Sequence, residues 1–143
     1  MQNRKTTNRS SILARSKQVE AEFVRFFWPD HEADESGSVR DWKDRHDFSG
    51  PDYNGKPIFG EAKSGGWVTG PRSLWTLLHL AYQQLEDALA AQGLKGQMVV
   101  GYKPLYSNIK DAVCLTEVSG LLTVMDAQTF KEAFVEGKRV TED

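Results

Sequence analysis

Residues 72–92 constrain this chain most. Leu74, Leu77, Leu78, Ala81, Leu85, Ala88 and Leu89 recur at steps of three and four, a stripe that predicts a long amphipathic helix. Gly93 is the C′ residue that lets such a helix stop. Strand-like segments flank it. Residues 57–63, PIFGEAK, open on Pro57, which suits a strand's first residue, and residues 97–102, QMVVGY, are apolar and β-branched. A helix with one apolar stripe must bury it against a second layer, and the order of elements suits an α/β fold with a mixed central sheet flanked by helices.

The rest of the chain extends this reading. A helical pattern begins near Ser11, with Ile12, Val19, Phe23, Phe26 and Phe27 on one face, and Pro29 should end it. Residues 29–38, PDHEADESGS, read as an acidic surface loop, and a short strand near Ser38 to Trp42 is an optional element before the hairpin. Residues 44–50, DRHDFSG, are expected to form a strand that turns at Asn54-Gly55 into 57–63. Residues 64–71, SGGWVTGP, form a glycine-rich loop. Two more strands, 111–118 and 120–125, split at Gly120, and Asp126 caps a last short helix that ends before Gly137.

Composition narrows the function classes. The 143 residues are 39% hydrophobic and 27% charged, the balance and size of one globular domain over 1–143. No stretch approaches the roughly 20 apolar residues of a membrane span, and the first 20 residues hold no apolar core of a secretory signal. Cys114 is the one cysteine, so no internal disulfide forms, and a reduced, cytoplasmic setting is expected. Net charge is −2, divided unevenly. Arg4, Lys5, Arg9, Arg15 and Lys17 make residues 1–19 +5, which leaves −7 on the remainder. Residues 1–10 read as a flexible basic arm, able to meet a nucleic-acid backbone or simply to stay solvated. Residues 65–70 lack the Gly-Lys-Ser/Thr ending of a phosphate-binding loop, so no nucleotide cofactor is expected.

Glu61-Ala62-Lys63 carries the chemistry. Residues two apart on a strand face the same way, so Glu61 and Lys63 point together. The pair is either a plain surface ion pair or a metal ligand beside a group that activates water. A second acid would favour the latter, because Mg²⁺ binds oxygen ligands, one or two of them carboxylates. With a three-residue loop, Asn54 to Lys56, Tyr53 pairs with Pro57, Asp47 falls opposite Lys63 and Ser49 opposite Glu61. A two-residue loop turns Asp47 to the wrong face. Asp52 is the alternative, about 13 Å along the strand from Glu61. Glu20, at the border of the first helix's apolar face, either snorkels to solvent or reaches a metal on the sheet beneath. Glu22 sits about 200° around the helix from it and is less favoured. Trp67 either stacks on a base or covers the core. Gln83 and Gln84 are weighed as groups near a metal or as solvent contacts. Cys114, Trp28, Trp42 and Trp75 are expected to pack.

Pro51-Asp52 followed by Glu61-Ala62-Lys63 resembles the motif of the PD-(D/E)xK nuclease superfamily. Lys17-Gln-Val-Glu20-Ala-Glu22-Phe23-Val24, an acid before a hairpin, and Glu61-Ala62-Lys63-Ser64 before a helix are similar to Holliday-junction resolvases of the archaeal type and their phage relatives. The chain also holds Asp41-Trp42-Lys43 and Glu136-Gly137-Lys138, but only the middle acid-x-Lys ends an apolar strand after a turn. The resemblance covers roughly residues 15–103. It implies a restriction-endonuclease-like core and Mg²⁺-dependent hydrolysis of DNA, with Mn²⁺ also accepted and branched DNA as the leading substrate. Asp47 (or Asp52) and Glu61 would hold the metal, Glu20 would add a ligand, and Lys63 would orient or deprotonate water. Arg9, Arg15, Lys17, Ser64 and Trp67 would contact DNA. A symmetric junction needs two cuts, which implies a homodimer, and a phage or prokaryotic source fits. A nuclease acting on duplex or ends, and a catalytically silent binding module for nucleic acid or protein, are the alternatives.

Overall fold

The computed structural model describes residues 18–30, 48–65, 71–104 and 106–138. They form a mixed α/β unit. α1 covers residues 18–27, β1 is Phe48–Pro51, β2 Pro57–Gly65, α2 Pro71–Gln92, β3 Gln97–Pro104, β4 Val113–Val118, β5 Leu121–Asp126 and α3 Ala127–Phe130. One sheet holds all five strands in the order β1-β2-β3-β4-β5. β2 and β3 are parallel, joined by α2, and the other neighbours are antiparallel.

The helices take opposite faces of the sheet. Val19, Phe23, Val24 and Phe27 of α1 pack with Phe48, Ile58, Val99 and Cys114, and with Phe130 of α3; Ala62 joins their edge. Leu78, Ala81 and Tyr82 of α2 pack with Val100, Tyr102 and Leu115, and Leu85 and Leu89 pack with Phe59. Strand alternation explains the split: Ile58, Gly60 and Ala62 face α1, while Phe59, Glu61 and Lys63 take the α2 face. Two glycines let α1 come close. A Cβ on Gly101 would lie 2.5 Å from Phe23 Cζ, and one on Gly60 would lie 2.2 Å from Cε1 and Cζ of Phe48. The Phe23 and Phe48 rings stack at 5.1 Å over this glycine floor.

Helix ends follow the predicted signals. α1 stops before Trp28-Pro29, and the Trp28 indole N–H donates to the Pro51 carbonyl at 2.7 Å. α2 ends at Gln92, and Gly93 takes φ +71°. Asp126 accepts the Thr129 N–H as the cap of α3, which runs on as a π-helical turn over Lys131–Val135. Ser119 and Gly120, at φ 51° and 84°, make the tight β4–β5 turn.

Three expectations are corrected. The hairpin loop is five residues long, Asp52 to Lys56, so Pro51 pairs with Pro57 and Ser49 with Phe59, not with Glu61. The Asp52 carboxylate causes this: it accepts the N–H groups of Asn54 at 2.7 Å and Lys56 at 2.9 Å, drawing the loop around itself. The strand predicted from residue 111 starts at Val113, because Asn108 caps a 3₁₀ turn over Ile109–Asp111. Trp75 is 46% exposed, with its ring 4.1 Å from that of His79, and does not fill the core. The expected strand near 38–42, the start of the strand expected at 44–50, and Trp42 lie outside the described residues.

Candidate functional site

Among the described residues, β2 is longer than its hairpin partner. β1 pairs with it only as far as Gly60, whereas β3 pairs with it from Ile58 to Gly65. Among the described residues, the stretch from Glu61 to Gly65 therefore has a strand on one side only. Glu61 and Lys63 stand there, next to Val100 and Tyr102 of β3. Val100 and Tyr102 are buried under α2, so the floor beside the pair is apolar. Burial also raises the Tyr102 phenol above its ordinary pKa, which keeps a proton on that oxygen.

Lys63 Nζ lies 3.6 Å from Glu61 Oε2, with the two side chains 33% and 18% exposed. That separation is an ion pair rather than a hydrogen bond. Both groups stay accessible, with an anionic oxygen and an ammonium side by side on a rigid strand. Such a pair can bind a cation through the carboxylate while the ammonium meets a phosphate or a water.

The other expected residues fall in different places. Asp52 lies beyond the Pro51–Pro57 pair, where one carboxylate oxygen closes the hairpin loop. The structure does not bring it to Glu61. Glu20 is half-buried on α1 and engaged in an interaction of its own. The sheet surface beneath α1 is that of Gly60, Ala62 and Gly101, so any approach of Glu20 to Glu61 runs around the β2 edge rather than across the sheet. Ser64 points to the α1 face, away from Lys63. Arg9, Arg15, Lys17, Asp47 and Trp67 lie outside the described residues. Gln83 and Gln84 are exposed, and Gln83 donates to Asp87 at 3.2 Å. Among the described residues, no three His, Cys, Asp or Glu side chains come together as a metal-binding group.

Sequence reasoning passed over one pair. Glu22, disfavoured on the helical wheel, has Oε1 3.6 Å from Lys103 Nζ. That oxygen is buried without a hydrogen-bond partner. The two line a cleft of about 310 Å³ with Gln18, Val19, Ser64, Pro104 and Tyr106, on the α1 face at the carboxyl ends of β2 and β3. Lys103, two residues past Gly101 on a strand whose odd positions face α1, was the available signal. Cys114 is fully buried, and burial pushes its thiol well above the usual range.

Comparison with protein-family models gives no match, and comparisons with curated proteins and with solved structures give none either. Among the described residues, no helix is long and apolar enough to cross a membrane.

Proposed function

We propose that this chain is a metal-dependent DNA nuclease of the PD-(D/E)xK type, acting on branched DNA such as a Holliday junction. The Glu61–Lys63 pair carries the reading. It stands on an interior strand of the sheet, beyond the last described pair of β1 and β2, with both side chains partly exposed. Two charges held on a strand with an apolar floor are more than ordinary solvation requires.

The donor set fits a hard divalent cation. Glu61 supplies one carboxylate, and Mg²⁺ needs only one or two beside water and substrate oxygens. Asp47, one residue before β1 in the sequence, is the second carboxylate in this reading, with Glu20 as an additional ligand. The bound cation would stabilise charge on the phosphate and on the leaving oxygen. Glu61 binds and orients. Lys63 would set its ammonium against the attacking water or a phosphate oxygen, orienting the one and holding the charge that builds in the transition state, or in its neutral amine form would accept the water's proton. Asp52 keeps the hairpin closed in this scheme.

The test is one gel series. Purified chain and a Lys63→Ala variant are incubated with labelled four-way junction and matched linear duplex, each with Mg²⁺, Mn²⁺ or EDTA. The expected result is metal-dependent cutting of the junction, reduced in the variant by at least about 10²-fold. Equal cutting of both substrates would keep the nuclease and remove the junction selectivity. No cutting in any lane from folded protein would favour the silent binding module.

A further inference from the structure

We propose that the cleft between α1 and the carboxyl ends of β2 and β3 holds one unpaired guanine base of the DNA substrate. Its volume of about 310 Å³ lies at the small end of ligand pockets, which suits a single heterocycle. Ser64 and Lys103 are register partners on β2 and β3, so they stand side by side on the face that α1 covers. Val19 and Glu22 of α1 form the facing wall.

Two opposite charges are left incompletely paired there. Glu22 Oε1 is buried and takes no hydrogen bond, and Lys103 Nζ lies 3.6 Å from it, an ion pair beyond hydrogen-bond length. A ligand edge with a donor next to an acceptor would satisfy both groups at once. Guanine has that edge: O6 accepts beside N1–H, and the N2 amino group adds a second donor for a carboxylate. Lysine on guanine O6 and carboxylates on base donors are both standard pairings. The edges of the other bases do not put two adjacent donors beside such an acceptor. A phosphate would meet the charge of Glu22, and a metal cation that of Lys103.

Tyr106 supplies the stacking surface. It lines the same cleft, yet it is 98% exposed and stands at φ 65°, where a bulky residue is uncommon. The turn is held there by Ser107, whose N–H and hydroxyl both donate to the Pro104 carbonyl, at 3.3 and 2.7 Å. An aromatic ring held in solvent at a cleft rim is what stacks on a base. A paired guanine has its Watson–Crick edge engaged, so the cleft reads a base that is unpaired or turned out of the stack. The proposal rests on the nuclease reading for its DNA, and Ser64 follows Lys63 directly on β2.

Fluorescence anisotropy of the full chain with labelled single-stranded oligothymidylates tests this. Each carries one central guanine, adenine, cytosine or O6-methylguanine, in EDTA so that nothing is cut. The expected result is binding of the guanine strand tighter than the others by about fivefold or more. O6-methylguanine keeps the ring but loses the N1 proton and blocks O6, so it should lose that preference without any change to the protein. Glu22→Gln should lower the preference and Lys103→Met abolish it, with circular dichroism to confirm folding. Tyr106→Gly should weaken every strand by about fivefold or more and keep its melting temperature, since glycine takes this φ readily. Equal binding of all strands, no binding at all, or a preference that survives the methyl group would overturn the proposal. Free dGMP competing as well as the guanine strand would also overturn it, in favour of a nucleotide site. Junction cutting without guanine preference would sink this site and leave the nuclease; guanine preference without cutting would do the reverse.

Discussion

Replacing Gly101 by alanine tests how α1 is held on the sheet. The new Cβ would lie 2.5 Å from Phe23 Cζ and 2.8 Å from Cε1. Carbon atoms pack at about 3.5–4.0 Å, so the ring must retreat by roughly 1 Å. It has nowhere to go: Phe23 is fully buried and stacks on Phe48 at 5.1 Å and on Phe27 at 5.7 Å. Overpacking of this kind costs about 1–3 kcal/mol. The same substitution stiffens the unfolded chain, which offsets about 0.4–1 kcal/mol. The clash wins, with a net loss of about 1–2 kcal/mol. At about 3–4 °C per kcal/mol for a chain of this length, the melting temperature should fall by roughly 3–8 °C. Differential scanning calorimetry on a double-mutant cycle with Phe23→Leu separates the cause. Once the ring is gone, Gly101→Ala should be near neutral, a coupling of about 1 kcal/mol. Gly55→Ala is the control: at φ +80° with nothing within 4 Å, it should lose stability through backbone strain alone and show no coupling. An unchanged or higher melting temperature for Gly101→Ala, or an equal drop with and without the Phe23 ring, would refute the packing argument.

Other outcomes follow from the same structure. Asp52→Ala removes the acceptor of two loop N–H groups and should lower stability by about 0.5–2 kcal/mol in urea denaturation, with cutting retained per folded molecule. Impaired cutting at normal stability would return Asp52 to the metal site. Burial, with Glu117 and Glu86 adding, pushes the Tyr82 phenol from 10.0 up to about 12. The folded state thus holds that proton more tightly than the unfolded chain does. The resulting stability is fully present below pH 10.0 and is lost as pH rises toward about 12, with the buried Cys114 thiol acting in the same direction. Urea midpoints should fall across that range and fall less in Tyr82→Phe; a parallel decline in the two proteins would exclude Tyr82 as the source.

Much of the fold was legible because its signals are local. The α2 stripe, the Gly93 stop, the Asp126 cap and the split at Gly120 each act within a few residues, through helical period, positive φ or a single side-chain hydrogen bond. The hairpin register was misread for a related reason. Asn54-Gly55 advertises a short loop, but the Asp52 side chain competes for the same backbone donors and lengthens it.

Sequence by itself determined that Glu61 and Lys63 share a face, because strand alternation has a period of two whatever surrounds the strand. Only the tertiary structure decided which face that is. The choice was made by glycines: Gly60 and Gly101 leave room for the Phe48 and Phe23 rings, α1 settles on their side, and the Glu61–Lys63 pair is left on the other. The same packing pairs Glu22 with Lys103, residues 81 positions apart, which no local pattern joins. Among the described residues it also places Leu122 and Val124 of β5 one strand beyond the apolar positions that α2 covers, since the reach of one helix against five strands is a property of the assembled layers and not of any segment.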